Sequence, residues 1–260
     1  MQGMHQISIN EGSREGAMTT QWLAGVDGCR AGWVAAFVSP DQEEVRVRVL
    51  SAFSEVFAAP EQPRIVAVDI PIGLPAHIGP YGRGPERAVR PHLGDRQSSV
   101  FTVPSRRAIY AGDYGEACRL ALATSDPPKK VSKQLFMIAA KIREVDETLR
   151  SKPSLTDRVF EVHPEVAFWR LNGSRALTEP KKIKGCPYGP GLALRRTLLA
   201  NHGFSKTAIE APPPRGAAED DLLDALACAA VARRILSGVA VPFPDPPLRD
   251  EFGLPIAIWA

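Results

Sequence analysis

The sequence predicts an α/β fold: a mixed sheet of five strands, three antiparallel and then two parallel, flanked by helices. Three observations predict it. Short apolar runs recur at 22–27, 33–38 and 45–50, and the last alternates apolar and basic residues as a half-exposed strand does. The run at 65–68 is apolar throughout, the composition of a strand covered on both faces of a layered α/β sheet. Helical spacing dominates the second half, over 132–150, 191–202 and 219–236.

Taken in order, the first three runs are separated by the turn segments GCRAG and SPDQEE, so they read as an antiparallel meander with the third strand at an edge. A short amphipathic helix at 53–59 leads to the buried strand at 65–68. Residues 75–107 hold many Gly, Pro and Arg without a clear period and are expected to form a long loop, a length that in compact domains often carries function. Ser132 caps the next helix, in which Leu135, Ile138, Ile142, Val145 and Leu149 share one face. Residues 158–162 are expected to form the fifth strand, broken at Pro164. The helix at 191–202 is closed by Gly203, PPPR at 212–215 is a linker, and the helix at 219–236 stops near Gly238. Residues 21–260 are read as a single domain. The polar stretch 1–20 lacks the apolar core of a signal peptide and is read as a flexible N-terminal tail.

Charge and cysteine content narrow the function. Lys and Arg number 32 against 29 Asp and Glu, a formal net charge of +3, so bulk charge does not by itself select a nucleic-acid partner. The four cysteines form no CxxC pair, which argues against a zinc ribbon or a disulfide framework and for free thiols in the cytoplasm. No apolar run approaches the ~18 residues of a membrane span. No sequence feature specifies an oligomeric state.

The acids stand out by position. Asp27 closes the first apolar run and Asp69 closes the fourth, and in open α/β sheets ligands bind beyond the carboxyl ends of the strands. A carboxylate at the tip of a buried strand is costly unless it is paired, hydrogen-bonded or bound to metal. For Asp27 the DG dipeptide also allows a simple tight turn. In the helix EDDLLDALACAAVARRIL, Asp220 and Asp221 occupy the first turn, where acids meet the helix dipole favourably. Asp224 lies one turn further in, among Leu222, Leu223, Ala225 and Leu226, and shares a face with Asp221. Two carboxylates aimed at one point suit a hard cation. Glu161 and His163 share a strand face. Glu161 is a candidate to join the cluster. His163 is a proton carrier, a phosphate contact or a buried histidine bonded to backbone.

Together these stretches resemble a known family. GVDGCRAGWV (25–34), AVDIPIGLP (67–75), GDRQSSVFTVPSR (94–106), SKQLFMIAAKIREVD (132–146), EVHPEVAF (161–168) and DDLLDALACA (220–229), in that order, resemble domain of unknown function 429, described as predicted RNase H-like nucleases. More broadly they resemble the RNase H-like superfamily and its Holliday-junction resolvase branch. The resemblance implies an RNase H-like sheet and a carboxylate cluster holding Mg2+ or Mn2+. In such nucleases two ions about 4 Å apart activate water and stabilise the leaving oxygen. Carried over residue by residue, Asp27, Asp69, Asp221 and Asp224 are the implied metal ligands and catalytic residues, with Glu161 a possible further one.

Basic residues supply the complementary charge. Between 83 and 107 lie Arg83, Arg87, Arg90, Arg96, Arg106 and Arg107 against only Glu86 and Asp95. Guanidinium groups suit bidentate phosphate contact, so Arg96, Arg106 and Arg107 are candidate substrate-binding residues, joined by Lys133 and Lys141 on the following helix and by His163. Lys181, Lys182 and Lys184 add positive charge. The expected partner is a nucleic acid or a phosphorylated small molecule. Two other functions compete: an ATP-dependent phosphotransferase or ATPase of the related actin-like fold, and a non-catalytic nucleic-acid or metabolite-binding protein. No Walker-type GxxxxGK[ST] loop is present to support the first.

Overall fold

A computed structural model describes residues 21–41 and 43–260. The tail expected over 1–20 lies outside the described residues.

The chain opens with the expected meander: β1 (Leu23–Cys29), β2 (Gly32–Val38) and β3 (Val45–Leu50). Each pairs antiparallel with the next, Val26 facing Ala35 and Ala35 facing Arg48. β1 runs two residues past Asp27, so that residue lies within the strand and does not begin the turn. Helix α1 (Glu55–Ala58) leads to β4 (Ile65–Val68), which lies parallel to β1 with Val26 beside Val68.

The stretch expected as an unstructured loop is wound into short helices. Helix α2 (Pro85–Val89) is followed by 3-10 turns at Arg90–His92 and Gly94–Ser99 and then by α3 (Arg106–Ile109). None exceeds six residues, too short to show a helical period in sequence. Next come α4 (Tyr114–Ala123), whose N-cap Asp113 accepts from the Glu116 amide at 2.8 Å, and α5 (Lys133–Ser151), capped by Ser132 as expected.

Strand β5 (Val159–Glu161) pairs parallel with β4. Pro164 does end that strand, but it also begins α6 (Pro164–Leu171), the helix position where its missing N–H costs nothing. A two-residue ladder of β6 (Lys182–Ile183) and β7 (Cys186–Pro187) precedes α7 (Gly189–Asn201), α8 (Lys206–Ile209) and α9 (Glu219–Leu236). The chain closes with a hairpin, β8 (Pro242–Arg249) and β9 (Pro255–Trp259).

The main sheet has the order β3-β2-β1-β4-β5, so β1 and β4 are central neighbours. Strand alternation divides the core. Ala24, Val26, Trp33, Ala35, Phe37, Val66 and Val68 pack with Leu135, Ile142, Val145 and Leu149 of α5. Leu23, Val34, Ala36, Val38, Ile65 and Ala67 face the other way, onto α6, α7 and α9. Each fully buried Leu or Val contributes roughly 1.5–3 kcal/mol. A third cluster joins α2, the turns after it and the C-terminal hairpin through Val89, Leu93, Val100, Val166, Trp169 and Ile258. All four cysteines are free thiols, and only Cys186 is exposed. Among the described residues no helix is long and apolar enough to cross a membrane.

Candidate functional site

Alternation along two strands aims two acids at the same helix. On β1, Leu23 and Gly25 face α9, so Asp27 does too; on β4, Ile65 and Ala67 face α9, and Asp69 takes the next place in that alternation. The Asp69 amide donates to the Val26 carbonyl at 2.9 Å, which carries the parallel ladder one residue further and sets the two acids side by side. Gly25 brings the third. A Cβ there would overlap the Ala225 carbonyl oxygen and the backbone of Ala229, so only glycine lets α9 lie this close to β1. That approach places Asp224, next to Ala225, at the carboxyl ends of the strands. Carboxylate oxygens of Asp27, Asp69 and Asp224 all lie within 4.8 Å of one another.

Asp27 and Asp224 are buried and Asp69 is half-buried, and the three carboxyls are pushed upward together. Asp27 is 8 % exposed and Asp224 1 % exposed. Burial, then the Asp69 and Asp224 carboxylates, push the Asp27 carboxyl well above the usual range. Burial pushes Asp69 up to about 7, against the pull of Lys181. Burial pushes Asp224 up to about 6, again against Lys181. The opposing cation is close: Lys181 Nζ is hydrogen-bonded to Asp224 Oδ2 and lies 3.7 Å from Asp220 Oδ2. Burial works against the ammonium, but Asp224 and Asp27 outweigh it and hold Lys181 charged. Asp224 Oδ1 is buried with no hydrogen-bond partner.

Asp221 is not among the three acids that meet within 4.8 Å. Its Oδ2 accepts from the Ala218 amide at 2.8 Å, closing the first turn of α9, and its charge still helps to raise the Asp27 carboxyl. Asp220 is buried and paired with Lys182 at 2.6 Å. Glu161 is turned away from the cluster by strand parity: it pairs in register with Val68, on the sheet face opposite Asp69. There it accepts from Arg83 at 2.6 and 3.0 Å and from the Ile72 amide at 2.7 Å. Burial pushes its carboxyl up to about 7, with Arg83 opposing.

The basic candidates divide in two. Lys141 and His163 line a cavity of about 330 Å³ that opens on Asp27 and Asp69. Lys141 Nζ donates to the Gly32 carbonyl and sits 4.5 Å from the Trp33 ring centre, and its stem passes where a Cβ on Gly28 would stand. His163 Nε2 lies 3.3 Å from the Ser99 carbonyl, and burial lowers its pKa, so the imidazole is neutral. The other candidates lie outside that lining. Arg106 is held by Asp146, by Asp250 at 2.6 Å and by Glu251 at 3.3 Å. Arg96 is half-buried on its 3-10 turn, and Arg107 and Lys133 are exposed.

Two cavity-lining groups carried no sequence signal strong enough to assign them. Lys181 belongs to a lysine run that reads as a solvated face. Glu165 follows His163 by two residues, is buried, and pairs through Oε1 with the fully buried Arg195, while its Oε2 has no partner.

A family model described as "Protein of unknown function (DUF429)" matches residues 25–249. No curated protein and no solved structure matches.

Proposed function

The chain belongs to the family described as Protein of unknown function (DUF429), and on that premise we propose that it is a divalent-metal-dependent phosphodiester hydrolase of the nuclease kind. The observation that carries the reading is the convergence of Asp27, Asp69 and Asp224. Three like charges this close, two of them buried and the third half-buried, repel, and a site with no ligand to hold gains nothing from them. The donor set fits Mg2+ or Mn2+: hard carboxylate oxygens, with Asp224 Oδ1 buried and unpartnered. The order of the acids, on the first strand, on the fourth and on a late helix, supports an RNase H-like relationship.

When bound, a divalent ion there would supply Lewis acidity and lower the pKa of a coordinated water. Asp27, Asp69 and Asp224 would hold it. Lys181 balances the charge of Asp224, and Lys141 offers an ammonium at the cavity wall to a phosphate oxygen. His163, neutral and within the lining, offers Nδ1 as an acceptor to a hydroxyl or amine of the substrate.

The test is thermal melting with Mn2+ or Mg2+ together with cleavage of phosphodiester substrates. Manganese is expected to raise Tm, because an ion that binds only the folded state stabilises it. Asp69→Asn is expected to abolish both the shift and cleavage while leaving the far-UV spectrum intact. Cleavage retained in that variant removes Asp69 from the chemistry.

A further inference from the structure

We propose that the substrate is a small phosphodiester the size of a single nucleotide, taken into the pocket beside the carboxylates, and not a nucleic-acid strand laid across the surface. This rests on the hydrolase reading above and specifies what that site accepts.

The cavity of about 330 Å³ lies at the lower end of small-molecule sites, which run from ~300 to ~1,000 Å³. Its walls beyond the acids are mainly apolar: Val100, Phe101, Val103, Leu135 and Ile138. An apolar slot ending in carboxylates suits a molecule with a planar organic part at one end and a phosphate at the other.

The wall formed by residues 99–103 is fastened down. Arg90 donates to the Val100 carbonyl at 2.8 Å and to Thr102 Oγ1 at 3.1 Å, and Val100 is packed into the cluster shared with the C-terminal hairpin. The pocket is therefore bounded by built structure. A polymer running through it would have to displace a packed segment.

The cations that reach the cavity are few, and Arg96, Arg107 and Lys133 lie outside its lining. A protein that tracks a strand needs a row of phosphate contacts. Here Arg83 is committed to Glu86 and Glu161, Arg90 to the wall, and Arg106 to Asp146 and Asp250, while Arg87 lies 3.7 Å from the Tyr81 ring centre. Lys141 and Lys181 are the lysines in the lining, enough for one phosphate. His163 adds a specific demand. With Nε2 directed at the Ser99 carbonyl, that nitrogen carries the proton, leaving Nδ1 as a buried acceptor without a partner. A sugar hydroxyl or a base amine satisfies it.

The reaction is a simple addition of water. The water oxygen bonds to phosphorus, one ester P–O bond breaks, and the departing oxygen leaves with a proton. The products are a monoester and an alcohol, with no change in oxidation state.

The test uses the full chain with Mn2+. Substrates are thymidine 5′-p-nitrophenyl phosphate, an oligonucleotide strand and its duplex, and thymidine 5′-monophosphate serves as the binding probe in melting experiments. The mononucleotide diester is expected to be cleaved with the higher kcat/KM, and the monophosphate to raise Tm beyond the manganese shift. Ile138→Trp fills the slot without touching an acid. It is expected to lose about tenfold or more in kcat/KM and to lose the monophosphate shift while keeping the manganese shift. Should that variant melt early, Phe101→Ala, which removes the wall, is expected to weaken the monophosphate response about tenfold. Preferred cleavage of strand or duplex, or no monophosphate shift while the manganese shift is intact, overturns the substrate class. Loss of the manganese shift in the unsubstituted protein instead sinks the hydrolase reading beneath it.

Discussion

With their carboxyls raised to about 7 and about 6, Asp69 and Asp224 keep protons in the folded chain that the unfolded chain releases near pH ~4. The folded state then binds more protons than the unfolded one between these values, so stability falls as pH rises. The contribution is complete below about pH 4 and is lost as pH climbs through the folded values of about 6 and 7. A metal ion bound by these acids would have to displace those same protons. The manganese increment in Tm is therefore expected to grow from about pH 5 to about pH 8 and then level off, and an increment flat across that range would exclude these acids as ligands. Asp27 and Asp69 were legible in sequence because each closes an apolar run. Lys181 was not, because nothing in KKIK distinguishes the lysine that turns inward to Asp224 from those that stay in water. Arg106 illustrates the reverse: an arginine in an Arg-rich segment reads as a phosphate contact until its carboxylate partners, distant in the chain, come into view.

At the level of elements, the docking of α9 on β1 depends on Gly25. A methyl group there overlaps backbone that no side-chain rotation can move aside. Gly25→Ala is expected to cost about 2–3 kcal/mol, read as a lower urea midpoint, and to weaken the manganese shift by displacing Asp224. An unchanged midpoint would mean that α9 has slack the geometry does not show. The segment after β4 depends on Arg83 in the same way. Arg83→Met strands Glu161 as a buried unpaired acid and is expected to cost about 3–5 kcal/mol in denaturant titration. Adding Glu161→Gln should return part of that loss. The β-strands and long helices were readable because their periods persist over enough residues. Helix α6 was hidden by Pro164, which reads as a breaker although it sits at a helix start. Strand β8 was hidden by PFPDPPLR, whose prolines argue against a strand, yet it needs only one partner and pairs irregularly with β9.

Across the whole molecule, 32 basic and 29 acidic residues nearly cancel, and of the six arginines between 83 and 107 Arg83 and Arg106 are ion-paired internally. A protein making 6–10 phosphate contacts loses roughly 10³–10⁵ in affinity between ~50 and ~200 mM salt. Here kcat/KM on a phosphodiester is expected to change less than about tenfold over that interval, and a steep dependence would reveal a charged track elsewhere on the surface. The acids that meet at the sheet end come from residues 27, 69 and 224, so the site spans most of the chain. During synthesis the first two emerge ahead of the third, which arrives only with α9. A nascent chain short of that helix presents two acids and no third, so the three-acid cluster assembles only once α9 has emerged and settled against Gly25 of β1.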